Sequence, residues 1–266
     1  MFCVGTLWRN HTLCYTHIRF TDQSQRLIRF LAKDGKTYYG DAILPAGTTD
    51  IGKAKQARII NGSPFAKHEV TDHVADVRML LTPLARDDIR TVRCLGLNYT
   101  QHAHEAKMPV PKYPILFYKP VTSVSGPFDP IPVPFPAQEE PSVDYECELV
   151  TVIGRPAYNV SASNALDYVL GFTVGNDVSH RGWQIERGGG QWSLGKGFDG
   201  WAPVGPGIVS TDVIKDPNAL RISTKVNGKT VQDNNTRDMI FGVKETIAFL
   251  SRGTTLLPGD LIFTGT

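Results

Sequence analysis

The stretch VDYECELVTVIG, residues 143–154, has the alternating pattern of a β-strand and carries two glutamates, Glu146 and Glu148. Side chains in a strand alternate between its two faces, so both carboxylates lie on one face, roughly 7 Å apart along the chain. A second strand pattern, GFTVGNDVS at 171–179, contains Asp177 near its end. If the two strands are neighbours, three carboxylates converge, and a divalent cation relieves their mutual repulsion.

The ligand set that these three residues offer consists of oxygen atoms only. Such a set suits Mg²⁺, Ca²⁺ or Mn²⁺, and a site with three protein ligands suits Mg²⁺ or Mn²⁺ best, because positions remain open for water and substrate. A solvated acidic strand face is the more common explanation of an isolated E-x-E pattern. The residues around the pattern therefore decide between a metal site and a plain polar face.

The composition excludes several functional classes. The 266 residues carry 28 Lys plus Arg against 26 Asp plus Glu, a formal net charge of +2, which gives no basic surface for nucleic acid or an anionic membrane. No stretch of the sequence is apolar for the eighteen or so residues that a spanning helix needs. The first twenty residues lack a signal-peptide core, and the four cysteines have no C-x-x-C spacing. We therefore expect reduced thiols and a cytoplasmic location, with the mitochondrion as the alternative.

The order of sequence patterns predicts a β-rich α+β fold in two parts. Residues 1–85 are expected to form a small N-terminal β module, with a hairpin over 26–44 around Asp34-Gly35. The rest of that part, residues 45–85, has only short apolar runs and is predicted as irregular connection with a helical piece. Residues 90–266 are predicted to form the catalytic domain.

Short strands dominate the predicted catalytic domain. Runs rich in β-branched and aromatic residues, separated by Gly and Pro, predict strands at ILFYKPV, CELVTVIG, GFTVGNDV, LRISTKV, KTVQ and DLIFTG. Two helices have a clear sequence pattern, about 163–169 and about 243–251. A short helix follows the strand at 91–95, and the proline-interrupted segment 107–114 after it is expected to be an irregular lid.

Five further residues have spacings that suit chemistry. His102 and Glu105 lie three apart on the short helix, so they share a face and can pair as a base and its orienting partner. Arg181 and Gln184 follow Asp177 at +4 and +7, which places donors beside the carboxylates if this segment is helical. Lys196 lies between glycines in a segment whose G-x-G-x-x-G match is followed by Trp-Ala-Pro and not by a helix, so a loop that presents the lysine is predicted. Each residue taken alone is more simply a solvated or structural side chain.

Together these patterns resemble the fumarylacetoacetate hydrolase family. The resemblance covers about residue 90 to the end, with the motifs in the family order: GLNYTQHAHEA, DYECELVTVIG, GFTVGNDVSHRGWQ, GGGQWSLGKGFDGWAPVGP, KVNGKTVQDNNTRDMIF and LLPGDLIFTGT. It implies a mixed β-roll catalytic fold, a homodimer, a bound Mg²⁺ or Mn²⁺ and a 2-oxo or 2,4-dioxo acid substrate.

The resemblance also implies roles for individual residues. Glu146, Glu148 and Asp177 match the metal-ligand positions. His102 and Glu105 match the water-activating dyad on the lid. The positions that contact substrate correspond to Lys196, Arg181, Gln184 and Thr266.

These roles lead to one main hypothesis and several rival functions. We expect a metal-dependent hydrolase that cleaves the C–C bond of an acylpyruvate, in which His102 takes a proton from water and Lys196 holds enolate charge. Oxaloacetate decarboxylation passes through the same enolate without a water nucleophile. An isomerase or hydratase of 2-oxo acids and a non-catalytic metal-binding protein complete the set of rival functions.

Three departures from the family pattern bear on substrate and completeness. Many relatives have Arg where Leu97 stands and Asp where Gly182 stands. Relatives also continue past the T-G-T run into further strands, whereas this sequence ends at Thr266, so the resemblance leads us to expect a catalytic domain without its usual C-terminal strands.

Overall fold

The computed structural model describes residues 24–266. Residues 1–23, with Cys3, Cys14 and the first part of the predicted N-terminal module, lie outside the described residues. Strands make up most of the regular structure between 24 and 266, and they are β1 Arg26–Ala32, β2 Thr37–Ile43, β3 Gln56–Asn61, β4 Glu69–Leu80, β5 Val92–Gly96, β6 Ile115–Lys119, β7 Val124–Ser125, β8 Val143–Asp144, β9 Cys147–Ile153, β10 Val169–Asn176, β11 Ser179–His180, β12 Ala202–Ser210, β13 Arg221–Val226, β14 Lys229–Asn235 and β15 Leu261–Phe263.

Helical segments are short and lie between the strands. The α-helices are α1 Thr100–Glu105, α2 Phe135–Gln138, α3 Ser193–Lys196 and α4 Val243–Leu250. Single turns of 3₁₀-helix occupy Ile51–Lys53, Arg86–Asp88, Val121–Ser123 and Thr236–Asp238, a longer one covers Ala162–Tyr168, and a π-helix covers Gly182–Arg187. This composition confirms the predicted β-rich α+β class. No helix of residues 24–266 combines the length and the hydropathy that crossing a membrane requires.

The N-terminal strands form a closed ring. Strand β1 pairs with both β2 and β4, and β3 pairs with β2 and β4, so each of the four strands has a partner on both sides. The hairpin over 26–44 is confirmed, but the prediction of irregular structure over 45–85 is wrong, since β3 and β4 lie there. Most of β4 is exposed, so its sequence lacks the apolar alternation that marks a half-buried strand.

A continuous path of paired strands leads from the ring into the large sheet. Strand β1 also pairs with β12, and the order continues through β10, β9, β15 and β5 to β6, with β15 and β5 parallel. Because the ring and the sheet share β1, the two predicted parts form one continuous hydrogen-bonded sheet in the structure. The domain boundary at residues 85–90 stays a prediction.

Strand β12 was not predicted from the sequence. Its two prolines, Pro203 and Pro206, cannot donate to a ladder and normally signal loops. Pro206 falls where the register against β10 shifts between Phe172 and Val174, a β-bulge. Pro203 lies beyond the last pair with β10, Gly175 with Val204, and is opposite Ser125 of β7.

Two apolar clusters support the central sheet. One contains Val92, Cys94 and Phe263 and lies between the sheet and the ring. The other packs α4 and the 3₁₀-helix Ala162–Tyr168 against the opposite face of the sheet through residues such as Ile153 and Ile247. The helix predicted at 243–251 is confirmed as α4, whereas the one predicted at 163–169 is 3₁₀ rather than α. The buried Cys94 and the half-buried Cys147 are both free thiols.

Candidate metal centre

The pairing of β9 with β10 brings the three acidic residues together. In this antiparallel pair Cys147 is opposite Asn176 and Glu148 is opposite Gly175. Glu146 lies one residue before β9 and Asp177 one residue after β10, and the ladder continues to them through a bond from Asp177 N–H to Glu146 O of 2.9 Å. Carboxylate oxygens from all three residues lie within 4.8 Å of one another, and all three residues are buried. The convergence that the sequence predicted is present.

Glu148, like Asp177, has no exposed surface. Its Oε2 accepts a hydrogen bond of 2.6 Å from Gly265 N–H, whereas its Oε1 has no hydrogen-bond partner among residues 24–266. Burial, and then the negative charges of Asp177 and Glu146, raise the pKa of Glu148 well above its usual range. A buried carboxylate oxygen without a donor is costly unless a cation or proton satisfies it.

Glu146 is held in the ionised state. Its Oε1 accepts three hydrogen bonds, from Arg181 at 2.5 Å, Lys196 at 2.9 Å and Ser179 at 3.2 Å. Burial alone would raise the pKa of Glu146, but the positive charges of Lys196 and Arg181 outweigh it, and the pKa is lowered. The donors of these three residues converge on one oxygen, so the other oxygen of the carboxylate remains for a ligand.

Lys196 lies at the end of α3 and not in the loop that the sequence predicted. Its Nζ donates to Asp177 Oδ2 at 2.7 Å, to Ser179 Oγ at 2.6 Å and to Glu146. Burial lowers the pKa of Lys196, but Asp177 and Glu146 more than compensate, so the pKa is raised and the ammonium stays charged. The lysine is 1% exposed and is part of the acidic cluster itself.

A second buried lysine at the site escaped the sequence analysis. Lys119 ends β6, and its Nζ forms an ion pair with Asp177 Oδ1 at 2.5 Å and donates to the carbonyl oxygens of Val178 and Trp201. In the sequence it stands in the strand pattern ILFYKPV, where a lysine suggests the solvent face of an edge strand. Only the fold brings β6 and Asp177 together.

The segment after Asp177 differs from the predicted helix. Ser179–His180 forms β11, which pairs with β8, and the helical turn begins only at Gly182. Arg181 still reaches Glu146, and its NH1 also donates to Gln184 Oε1 at 2.8 Å. The proximity predicted for the pair is therefore present, although the segment is not helical from Asp177 onward.

The predicted dyad on α1 makes other contacts. His102 Nδ1 lies 3.1 Å from Thr266 O, and Glu105 Oε1 accepts from Gln101 Nε2 at 2.8 Å. The contacts of residues 24–266 include no hydrogen bond between His102 and Glu105, and their pairing as a dyad stays a prediction. His102 instead contacts a backbone oxygen across the fold, and Glu105 contacts a side chain of its own helix.

The arrangement fits a divalent cation. Three carboxylates provide an all-oxygen ligand set, and Glu148 Oε1 lacks a donor within the described part of the chain. Lys119, Lys196 and Arg181 form ion pairs with Asp177 and Glu146, whereas no ion pair of residues 24–266 reaches Glu148. The donor set is that of a hard cation such as Mg²⁺ or Mn²⁺.

Comparisons with known proteins agree with this geometry. The family model "Fumarylacetoacetate (FAA) hydrolase C-terminal" matches residues 91–266. The chain is 46% identical to a caffeoylpyruvate hydrolase of Neonothopanus nambi over 253 residues, 91% of this chain and 80% of that protein. It is 46% identical over 187 residues, 70% of this chain, to a Xenopus laevis protein named oxaloacetate tautomerase fahd2, mitochondrial.

The fold has solved counterparts as well. The crystal structure of 2-hydroxyhepta-2,4-diene-1,7-dioate isomerase from Mycobacterium marinum matches with a TM-score of 0.75 and 41% identity, covering 91% of this chain and 87% of that one. The chain spans 57% of the length of the Xenopus protein and 58% of that of a Dictyostelium discoideum relative.

Proposed function

The chain belongs to the fumarylacetoacetate hydrolase family, and from this premise we propose that it is a metal-dependent enzyme that hydrolyses the C–C bond of an acylpyruvate. The observation that carries the proposal is the buried cluster of Glu146, Glu148 and Asp177 with the ammonium of Lys196 inside it. Such a cluster has little use as a structural core, since burying like charges is costly without a ligand. The name of the caffeoylpyruvate hydrolase relative supports an acylpyruvate as substrate.

Glu146, Glu148 and Asp177 are the residues that would hold the metal, which we propose to be Mg²⁺ or Mn²⁺. When bound, a divalent cation supplies a Lewis acid for the carboxylate and 2-oxo oxygens of such a substrate. The three N–H donors of Lys196 go to Glu146, Asp177 and Ser179, so this residue would act on the developing negative charge of the substrate through its own positive charge and not through a hydrogen bond. Its raised pKa keeps that charge in place at neutral pH.

His102 is proposed to act as the base through one particular ring nitrogen. Its Nδ1 faces the carbonyl oxygen of Thr266 at 3.1 Å, and a carbonyl can only accept, so Nδ1 carries the hydrogen. In the neutral ring Nε2 is then free to take a proton from water. Thr266 thus orients the imidazole, which is the role that the resemblance assigned to Glu105.

The proposed reaction balances with one water. Water loses a proton to His102 and its oxygen adds to the distal carbonyl, after which the C3–C4 bond breaks and its electron pair moves into the enolate of pyruvate. The proton returns at C3 to give pyruvate, and the acyl part leaves as a carboxylic acid. Lys196 holds the enolate charge until that proton arrives.

A second candidate function is the interconversion of the keto and enol forms of oxaloacetate. This reaction moves one proton between carbon and oxygen and needs no activated water, so it does not depend on a bond between His102 and Glu105, which make other contacts. The name of the Xenopus relative supports the same activity. Oxaloacetate decarboxylation is a further outcome that the same enolate chemistry allows.

Product analysis by NMR distinguishes these functions. Acetylpyruvate and oxaloacetate are incubated with the protein in Mg²⁺ and in chelator, alongside His102→Ala and the matched control His104→Ala, which changes an exposed histidine on the same helix. We expect Mg²⁺-dependent pyruvate and acetate, lost in His102→Ala and kept in His104→Ala. Enol loss from oxaloacetate that survives His102→Ala, without cleavage of acetylpyruvate, supports the tautomerase; CO₂ release identifies the decarboxylase.

Assembly and location are also proposals. We propose a homodimer, as the family resemblance implies. Light scattering of the purified protein tests it. The sequence favours the cytoplasm, whereas the name of the Xenopus relative says mitochondrial, and imaging of a tagged full-length protein decides between the two.

A further inference from the structure

The family resemblance assigns Arg181 to substrate contact, but its guanidinium hydrogen-bonds to other residues of the protein. Its Nε and NH2 donate to Asp144 Oδ2 at 3.0 Å and 2.7 Å. Its NH1 donates to Glu146 Oε1 at 2.5 Å and to Gln184 Oε1 at 2.8 Å. A guanidinium has five N–H donors, and these contacts use four of them. The fork that would bind a substrate carboxylate in bidentate fashion is therefore already occupied.

We propose that Arg181 is a positioning residue for the metal ligand Glu146 and that Asp144 fixes Arg181 in that role. The inference rests on the metal site of the proposed function but not on which reaction follows. Asp144 and Arg181 belong together because β8 pairs with β11, which sets Ser179 opposite Asp144 two residues before the arginine. Asp144 is itself fixed, since its Oδ1 accepts the N–H of Tyr145 at 2.9 Å.

The consequence for Glu146 is a fixed carboxylate orientation. Arg181, Lys196 and Ser179 all donate to Oε1, so the plane of the carboxylate is set and Oε2 is the oxygen left to bind a cation. Removing a group that hydrogen-bonds to a metal ligand and orients it typically weakens metal binding by about 10- to 100-fold. Without Arg181, Glu146 loses one of its two positive neighbours and can rotate about its terminal bond.

Gln184 gains an orientation from the same arginine. Because its Oε1 accepts from Arg181, its NH₂ group is the half of the amide that remains for other contacts. The substrate contact that the resemblance gives to Arg181 and Gln184 jointly thus falls to Gln184 alone. Arg181 acts on substrate only through Glu146 and Gln184.

The test compares metal affinity with substrate affinity. Calorimetric titration with Mn²⁺ gives the dissociation constant for wild type, Arg181→Met and Asp144→Ala, and KM is measured at saturating Mn²⁺. The matched control is Arg187→Met, which removes an arginine of the same helical segment that pairs with Glu139 at 3.0 Å. Thermal melts of the metal-free proteins verify folding; Arg181 and Asp144 are 31% and 41% exposed, so Asp144→Ala leaves no fully buried lone charge.

We expect the Mn²⁺ dissociation constant to rise about 10- to 100-fold in Arg181→Met and in the same direction in Asp144→Ala, with Arg187→Met unchanged. A purely structural role would lower the melting temperature without this change in affinity. Unchanged Mn²⁺ affinity together with a raised KM in Arg181→Met overturns the inference and restores the direct substrate contact. A wild-type protein that binds no Mn²⁺ overturns the proposed metal site and the inference together.

Discussion

Replacing Glu148 by Gln tests the acidic cluster at a carboxylate that has no exposed surface. Glutamine has nearly the same shape, and its amide oxygen can keep the bond from Gly265 N–H. The change removes one negative charge from a group of three whose oxygens lie within 4.8 Å, where each pair of ionised carboxylates repels by about 3.5 kcal/mol at an effective dielectric constant of ~20. Two such pairs involve Glu148, so their summed repulsion at 4.8 Å is about 7 kcal/mol, and the attraction of Glu148 to the Lys196 ammonium offsets part of it.

A proton on Glu148 removes that repulsion, and the environment of Glu148 favours the protonated form. Its pKa is raised by burial and then by Asp177 and Glu146, so the folded state binds this proton more tightly than the unfolded state, where the usual value is 4.5. The stability of the metal-free protein therefore falls as pH rises from that value toward the raised one. The Gln variant behaves like the protonated form at every pH and lacks this fall.

Two measurements follow for Glu148→Gln. Thermal melts of the metal-free protein at neutral pH should show a higher melting temperature than wild type, by about 2–4 °C per kcal/mol of relief. Calorimetry should show Mg²⁺ affinity reduced more than about 100-fold, because losing a direct ligand weakens binding more than losing a group that only hydrogen-bonds to a ligand. The control Glu69→Gln changes an exposed carboxylate of the ring. Wild-type metal affinity in Glu148→Gln would show that Glu148 is not a metal ligand.

Further predictions concern the supporting residues. Lys196→Met should destabilise the metal-free protein by about 3–5 kcal/mol, because buried carboxylates lose their counter-charge; added Mg²⁺ should then raise its melting temperature more than that of wild type, and equal increments would contradict the contact. Gly96→Ala places a Cβ in steric overlap with the Trp192 ring, so it should cost about 1–3 kcal/mol in urea unfolding and alter tryptophan fluorescence; an unperturbed spectrum would exclude that packing. Phe263→Ala empties a fully buried position and should cost about 3–5 kcal/mol, and a loss below about 1 kcal/mol would place Phe263 outside the core. Apparent Mg²⁺ affinity should weaken as pH falls, since Glu148 must lose its proton to bind; calorimetry at several pH values checks this, and a flat profile argues against a protonated Glu148 whose pKa is raised.

The acidic cluster was predictable because it depends on local rules. Two-residue periodicity places Glu146 and Glu148 on one face, and the pairing of adjacent strands adds Asp177. The three carboxylates need only the strand geometry and one antiparallel pair, which the sequence patterns indicate directly. Lys196 was identified from the family pattern.

The remaining contacts depend on packing between distant segments. Lys119 reaches Asp177 because β6 and the end of β10 meet in the fold, and His102 pairs with Thr266, 164 residues away in the sequence. No short-range pattern marks either contact. Likewise the role of Arg181 depends on Asp144, which becomes its neighbour only through the pairing of β8 with β11.

The missed strands have physical causes of their own. Strand β4 is mostly exposed, so its polar residues conceal the alternation on which strand prediction relies. Strand β12 carries two prolines that usually exclude a ladder position; a β-bulge accommodates Pro206, and Pro203 lies beyond the last pair with β10. Each of the two strands also pairs with β1, which is far away in sequence, and this pairing overrides the weak local preference.

The proposed function requires one divalent cation on Glu146, Glu148 and Asp177 for turnover of a 2-oxo acid. The most direct measurement is the rate of pyruvate formation from acetylpyruvate as free Mg²⁺ is varied, compared with the Mg²⁺ dissociation constant from calorimetry on the same preparation. We predict one site per chain, half-maximal rate at a Mg²⁺ concentration equal to that dissociation constant, and no rate in chelator. Full turnover in chelator would show that the cation is not required. Saturated Mg²⁺ binding with no turnover of acetylpyruvate or oxaloacetate would contradict the proposed activity.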